Sequence, residues 1–205
     1  MLEGGQLACV RGDRQLFTGL DLVVESGDLL HIKGVNGSGK TTLLRMLCGL
    51  TDPAEGEIRW RGENIRSLGE DFRREVTYLG HLNGIQAELT ALENLRVISG
   101  VNGFTPPESE LWEALAAMGL AGFEDLPTKV LSQGQKRRVA LARLMLCHTP
   151  LWVLDEPFVA LDVAAVAHLQ GVLDRHVAGG GMVVMTTHQD FSLTAGTRRV
   201  LLLGR

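Results

Sequence analysis

Eight residues, Gly34-Val35-Asn36-Gly37-Ser38-Gly39-Lys40-Thr41, constrain this chain more than any other stretch. They fit G-x-x-x-x-G-K-[ST], a loop that closes around nucleotide phosphates when it joins a buried strand to a helix. The glycines let backbone N–H groups approach a phosphate without Cβ clashes. Lys40 is a point charge for β- and γ-phosphate oxygens, and the Thr41 hydroxyl can ligate Mg²⁺. The flanks agree. Leu29 to Ile32 is a short apolar run suited to a buried parallel strand. Thr42 to Cys48 reads as a helix with an apolar core side, begun at Gly39 and ended by Gly49. Its positive N-terminus faces the phosphates, so Gly34 to Thr42 is the candidate nucleotide-binding run.

Strand, loop and helix in that order belong to an α/β fold, and 205 residues suffice for one such domain. Apolar content of 45% and charged content of 21% are those of a soluble globular protein. A formal charge of −4 carries no basic excess, so nucleic acid is not an expected partner. Cys9, Cys48 and Cys147 are widely spaced and include no C-x-x-C, which suggests core packing in a reducing compartment. Residues 1–5 have neither the basic end nor the apolar stretch of a secretory signal. No apolar run approaches the roughly 18 residues that span a bilayer, so any membrane role must come through partners.

Strands are expected over Gln6 to Val10 and Leu20 to Glu25, flanking a polar turn at Gly12-Asp13-Arg14, with Phe17 in the core and Arg11 and Arg14 solvated. Asp52 to Gly56 is a turn leading into an alternating strand, Glu57 to Trp60, and Val76 to Leu79 is another strand. From about 83 to 147 strand signals stop. Thr90-x-x-Glu93 and Thr105-x-x-Glu108 both fit the capping box, the second with Pro106 at the first helical position. The helices they begin carry Leu92, Leu95 and Val97, then Leu111, Leu115 and Met118. A third helix follows Ser132, buried over its second half through Cys147, with Lys136, Arg137 and Arg138 solvated. A helical lobe thus interrupts the α/β pattern. Alternation resumes with a strand over Leu151 to Leu154, a helix over Val163 to Val177, a strand over Met182 to Met185 and a last one over Val200 to Leu203.

Three further constellations carry chemistry. Leu151 to Leu154 ends in Asp155-Glu156. A carboxylate at the carboxyl end of a parallel strand beside a phosphate loop can hold Mg²⁺, the role of Asp155, and Glu156 can activate water against the γ-phosphate. His188, after Thr186-Thr187, lies at the next strand's carboxyl end and can reach the same phosphate. Ser132-x-x-Gln135 is a capping box; a capped helix N-terminus also binds anions, and local physics does not choose between these.

In order and spacing, the glycine loop, Leu131-Ser132-Gln133-Gly134-Gln135, the strand with two acids, Ala160-Leu161-Asp162 and His188 resemble the ATP-binding cassette (ABC) ATPases. That resemblance implies a P-loop fold with a mainly parallel core, an N-terminal antiparallel part and an inserted helical lobe at about 83–147. It implies a head-to-tail dimer with a second copy. ATP, with Mg²⁺ as cofactor on Thr41 and Asp155, then lies between the Lys40 loop of one copy and Ser132, Gly134 and Gln135 of the other. Glu156 and His188 are the catalytic pair. The chain departs from the family at three places. His81 stands where the family has a glutamine that reaches Mg²⁺, Arg11 where many members stack an aromatic on adenine, and Gln133 where the signature has a glycine, a change that a position without positive φ tolerates.

Tyr78-Leu79-Gly80-His81, Leu89-Thr90-Ala91-Leu92-Glu93-Asn94-Leu95, Asp155-Glu156-Pro157-Phe158 and Thr187-His188-Gln189 resemble more closely the ATP-binding subunit of the cytochrome c maturation system. This implies a peripheral protein on the cytoplasmic face of the bacterial inner membrane, bound to integral membrane subunits. It would support haem export, or release of the haem-loaded periplasmic chaperone. His31, His81, His148, His168 and His176 form no ligand pattern, so haem is expected only indirectly. An ABC ATPase of another exporter and a soluble one of the iron–sulfur assembly type remain open. A small-molecule kinase shares the glycine loop but gives no reason for Ser132 to Gln135 or His188.

Overall fold

The structure is a computed structural model describing residues 1–204. In chain order the strands and helices are β1 (Leu2–Arg11), β2 (Arg14–Val24), β3 (Asp28–Gly34), α1 (Lys40–Leu47), β4 (Glu55–Trp60), β5 (Glu63–Asn64), α2 (Ile65–Leu68), α3 (Glu70–Arg74) and β6 (Val76–Leu79). There follow α4 (Ala91–Val101), α5 (Glu108–Ala117), α6 (Gln133–Ala142), β7 (Leu151–Asp155), α7 (Val163–Ala178), β8 (Met182–Thr186) and β9 (Thr197–Leu203). They form two compact units. The first comprises Met1–Tyr78, Thr149–Glu156 and Leu173–Arg205; the second comprises Leu79–His148 and Pro157–Val172.

The first unit is α/β. Its five-stranded sheet runs β6-β7-β8-β3-β9, with β7, β8, β3 and β9 successively parallel. β3, β7 and β8 are buried almost throughout, as continuous apolar runs in a parallel sheet must be. An antiparallel sheet, β2-β1-β4-β5, supplies the N-terminal part. One apolar cluster, including Leu2, Leu7, Ile32, Leu43, Leu47, Trp60, Phe72 and Val184, joins both sheets to α1.

β1 starts at Leu2, four residues before the expected start. Gly4 and Gly5 mute the strand signal, and Gln6 is a bulge residue with φ of 50° that interrupts the pairing register. The turn to β2 is correspondingly shorter than expected, only Gly12 and Asp13. Two short helices precede β6: α2, four residues long, has Ile65 buried, and α3, five residues long, lies in the charged segment from Glu70 to Glu75 and buries Phe72.

In the second unit, Thr90 caps α4 as a full capping box: its hydroxyl accepts from Glu93 N (3.1 Å), and Glu93 Oε2 accepts from Thr90 N (2.8 Å). Thr90→Ala is expected to cost about 1 kcal/mol, lowering the thermal midpoint by roughly 2–4 °C, as a calorimetric melt would read. Asn94, buried one turn on, accepts from Gln86 N and donates to the carbonyls of Gln86, Leu89 and Thr90, tying the preceding loop to the helix.

Three expectations for this unit are corrected. The Thr105 capping box does not form: α5 begins at Glu108 with Pro107 as an N-cap that makes no side-chain bond. Pro106 precedes another proline, which excludes it from helical ψ and delays the start. The third helix stops at Ala142 and tightens into a 3₁₀ turn, Arg143–Met145, instead of continuing to Cys147. Arg137 is not solvated. It is 5% exposed, and its Nη1 donates to Gly80 O (3.1 Å) and Asn83 Oδ1 (3.2 Å), so carbonyl oxygens draw the guanidinium inward.

Candidate nucleotide site

The loop is built by its neighbours. β3 delivers Gly34, and Gly39 caps α1 in the left-handed region at φ of 98°. A Cβ on Gly39 would lie 3.1 Å from the Phe17 ring, so both the backbone conformation and the space call for glycine. No side chain caps α1, which leaves its first-turn N–H groups for an anion. Lys40 Nζ is held across the loop by Gly34 O (2.7 Å) and Val35 O (3.3 Å). Val35, Asn36, Gly37 and Thr41 are exposed, Lys40 and Thr42 half-buried, and Ser38 is buried.

The carboxyl ends of β7 and β8 meet this loop because their register sets Asp155 opposite Thr186. Asp155, 4% exposed, accepts from Thr41 Oγ1 (2.8 Å) and Thr186 Oγ1 (2.6 Å). Burial, and then the Asp155 charge, push the nearby Tyr78 phenol up. Glu156 sits at φ of 48°, an uncommon conformation for a non-glycine residue, secured by its N–H to Thr186 O and Oγ1, both at 3.1 Å. Its carboxylate accepts from His188 N (3.2 Å), and His188 Nε2 is 3.5 Å from Oε1. A cavity of about 250 Å³ opens here, bordered by Gly34, Lys40, Thr187 and His188. A larger one of about 360 Å³, between Asp52, Asn64, Arg66 and Phe72, contains none of the motif residues.

The structure therefore brings Lys40, Thr41, Asp155, Glu156 and His188 together in the first unit. In the second, Ser132 caps α6: its Oγ accepts from Gln135 N (3.2 Å), and Gln135 Oε1 accepts from Ser132 N (2.9 Å). Gln133 is the first helical residue and is absent from the positive-φ positions, so losing a glycine there costs nothing in backbone strain. Gly134 is a different case, because a Cβ there would meet Ala160 O at 2.8 Å. Asp162 caps α7 through Ala165 N (2.9 Å) and pairs with Arg138; the capping bond, then Arg138, holds its carboxyl low. His81 is exposed in a loop, and Arg11 is exposed at the β1–β2 hairpin, opposite Arg14. Sequence reasoning missed Thr186, whose hydroxyl joins Asp155 to Glu156, and treated Phe17 only as core. A threonine directly after an apolar strand, level with an acid on the neighbouring strand, was the available signal for the first.

Residues 17–159 match the family described as ABC transporter. The chain belongs to this family. Two ABC relatives align over nearly their whole length. The cytochrome c biogenesis ATP-binding export protein CcmA of Dechloromonas aromatica is 57% identical over 204 residues, 100% of each chain. That of Nitrosospira multiformis is 56% identical over 202 residues, 98% of each. Within the ABC transporters, the chain thus belongs to the family of cytochrome c biogenesis ATP-binding export proteins, and it is an ABC-type ATPase. Among solved ABC structures, a dimeric post-hydrolysis state of the cassette MJ0796 bound to ADP and Pi superposes with a TM-score of 0.81 at 25% identity, covering 92% of this chain and 88% of that one. No helix among the described residues is long and apolar enough to cross a membrane.

Proposed function

We propose that this chain is the ATP-hydrolysing subunit of a membrane complex for cytochrome c maturation, acting in haem export or in release of a haem-loaded periplasmic chaperone. The observation that carries the cytochrome c role is its end-to-end similarity, at 56% and 57% identity, to two cytochrome c biogenesis ATP-binding export proteins. The two compact units then work as one nucleotide-binding domain, with the helical lobe at about 83–147. The protein pairs with a second copy and sits on the cytoplasmic face of the inner membrane through integral membrane partners.

In this reading Gly34 to Thr42 hold the ATP phosphates, with the Lys40 ammonium and the α1 N-terminus as the positive field. The donor set suits Mg²⁺. Thr41 Oγ1 and Asp155 Oδ2 are hard oxygen donors 2.8 Å apart. Mg²⁺ accepts such sparse protein ligation because it keeps water and phosphate oxygens. When bound it would neutralise charge on the β- and γ-phosphates.

Glu156 accepts a proton from the attacking water as its oxygen bonds to the γ-phosphorus and the bond to the ADP oxygen breaks. His188, whose main-chain N–H already holds the Glu156 carboxylate, faces the γ-phosphate. Ser132, Gly134 and Gln135 of the second copy close over the same nucleotide, so ATP joins the dimer and hydrolysis releases it.

The test is covalent haem in periplasmic c-type cytochromes, in cells whose only copy carries Glu156→Gln. Haem-stained cytochromes are expected to disappear while the protein level holds. Staining at the wild-type level would separate this ATPase from cytochrome c maturation.

A further inference from the structure

His31 is a polar residue in the middle of an apolar strand. It lies on β3, opposite Met185 of β8 and Val200 of β9, and is 1% exposed. Burying an imidazole there requires partners for both nitrogens. Nδ1 lies 3.0 Å from Arg198 Nη2, and Nε2 lies 3.0 Å from the carbonyl oxygen of Thr187. A guanidinium only donates, so Nδ1 is the acceptor, and the proton sits on Nε2, donating to Thr187 O. Arg198 is itself held by Phe191 O (2.9 Å) and by the Phe191 ring, 4.2 Å away. The neutral ring is further favoured by burial, which lowers its basicity despite the Thr187 bond, and then by the charge of Arg198.

The Thr187 carbonyl belongs to the same planar peptide unit as the N–H of His188. That N–H donates to Glu156 Oε2 at 3.2 Å. A continuous series of bonds thus runs from Arg198 through His31 and one rigid peptide plane to a carboxylate whose own backbone is in the left-handed region.

We propose that His31 is a positioning residue for ATP hydrolysis: by holding the Thr187–His188 peptide plane it sets the Glu156 carboxylate. This rests on the reading of Glu156 as the base.

The experiment measures kcat, KM and ATP affinity of the full chain carrying His31→Leu or His31→Gln. The leucine removes the donor at similar volume, and the glutamine keeps an N–H for Thr187 O. With His31→Leu, kcat is expected to fall about tenfold or more, with KM and ATP affinity within about twofold of wild type. His31→Gln should recover most of kcat. Wild-type kcat in the leucine variant, equal losses in both variants, or a loss carried by KM would each overturn the proposal. If His31→Leu does not fold, Arg198→Met is the second probe. It frees the tautomer and should lower kcat at constant KM; unchanged kcat overturns the proposal. Glu156→Gln, run alongside, separates the two failures. Normal turnover there removes Glu156 as base, whereas lost turnover there with normal turnover in His31→Leu rejects the positioning role alone.

Discussion

Glu156→Gln is expected to stop ATP turnover while leaving ATP binding intact. The amide has the shape of the carboxylate and its oxygen still accepts the His188 N–H, so the loop, Thr41 and Asp155 keep the contacts they have. Only the ability to take a proton from water is lost. General-base catalysis contributes about 10²–10⁴ in rate, so kcat should fall by around a thousandfold. A nucleotide titration should give an affinity near that of the wild type. ATP that binds and is not consumed also traps the dimer, so sedimentation with ATP should show doubled mass for the variant. Turnover near the wild-type rate would remove Glu156 as the base, whatever the dimer does.

Ser132→Arg is expected to abolish ATP-dependent pairing without weakening ATP binding to the single chain. Within its own chain Ser132 does one thing: it caps α6 through the reciprocal bonds with Gln135. Losing that cap costs about 1 kcal/mol, too little to unfold the domain. Arginine places a long charged side chain at an exposed helix start that the proposed dimer needs to bring up against a nucleotide on the other copy. The clean background is Glu156→Gln, in which the paired state accumulates. Sedimentation of the double variant with ATP should give single-chain mass, with nucleotide affinity within about twofold of the parent. Dimers at the parent's level would rule out Ser132 as part of a site completed in trans.

Much of the site could be read from spacing. The β3-loop-α1 junction, Asp155 at a strand end and the Thr90 and Ser132 capping boxes each depend on a few adjacent residues, whose glycines, hydroxyls and apolar runs impose the local conformation. Where a local rule failed, a stronger local rule or burial overrode it. Thr105 lost its helix start to the Pro106-Pro107 pair. Arg137, in a run of cations that looked solvated, turned inward because Gly80 O and Asn83 offered acceptors that no periodicity records.

Residue types and short spacings therefore decided that this chain is an α/β nucleotide-binding protein and marked the side chains that we propose face phosphate. The tertiary structure decided how those side chains are held. Thr186 bridges Asp155 and Glu156, and His31 reaches Thr187 across 156 residues, only because β7, β8, β3 and β9 pair in one register. A shift of one residue would turn each of those side chains to the opposite face of the sheet. That register depends on the whole buried sheet rather than on any stretch of sequence, so the relay behind Glu156 appears only once the strands are side by side.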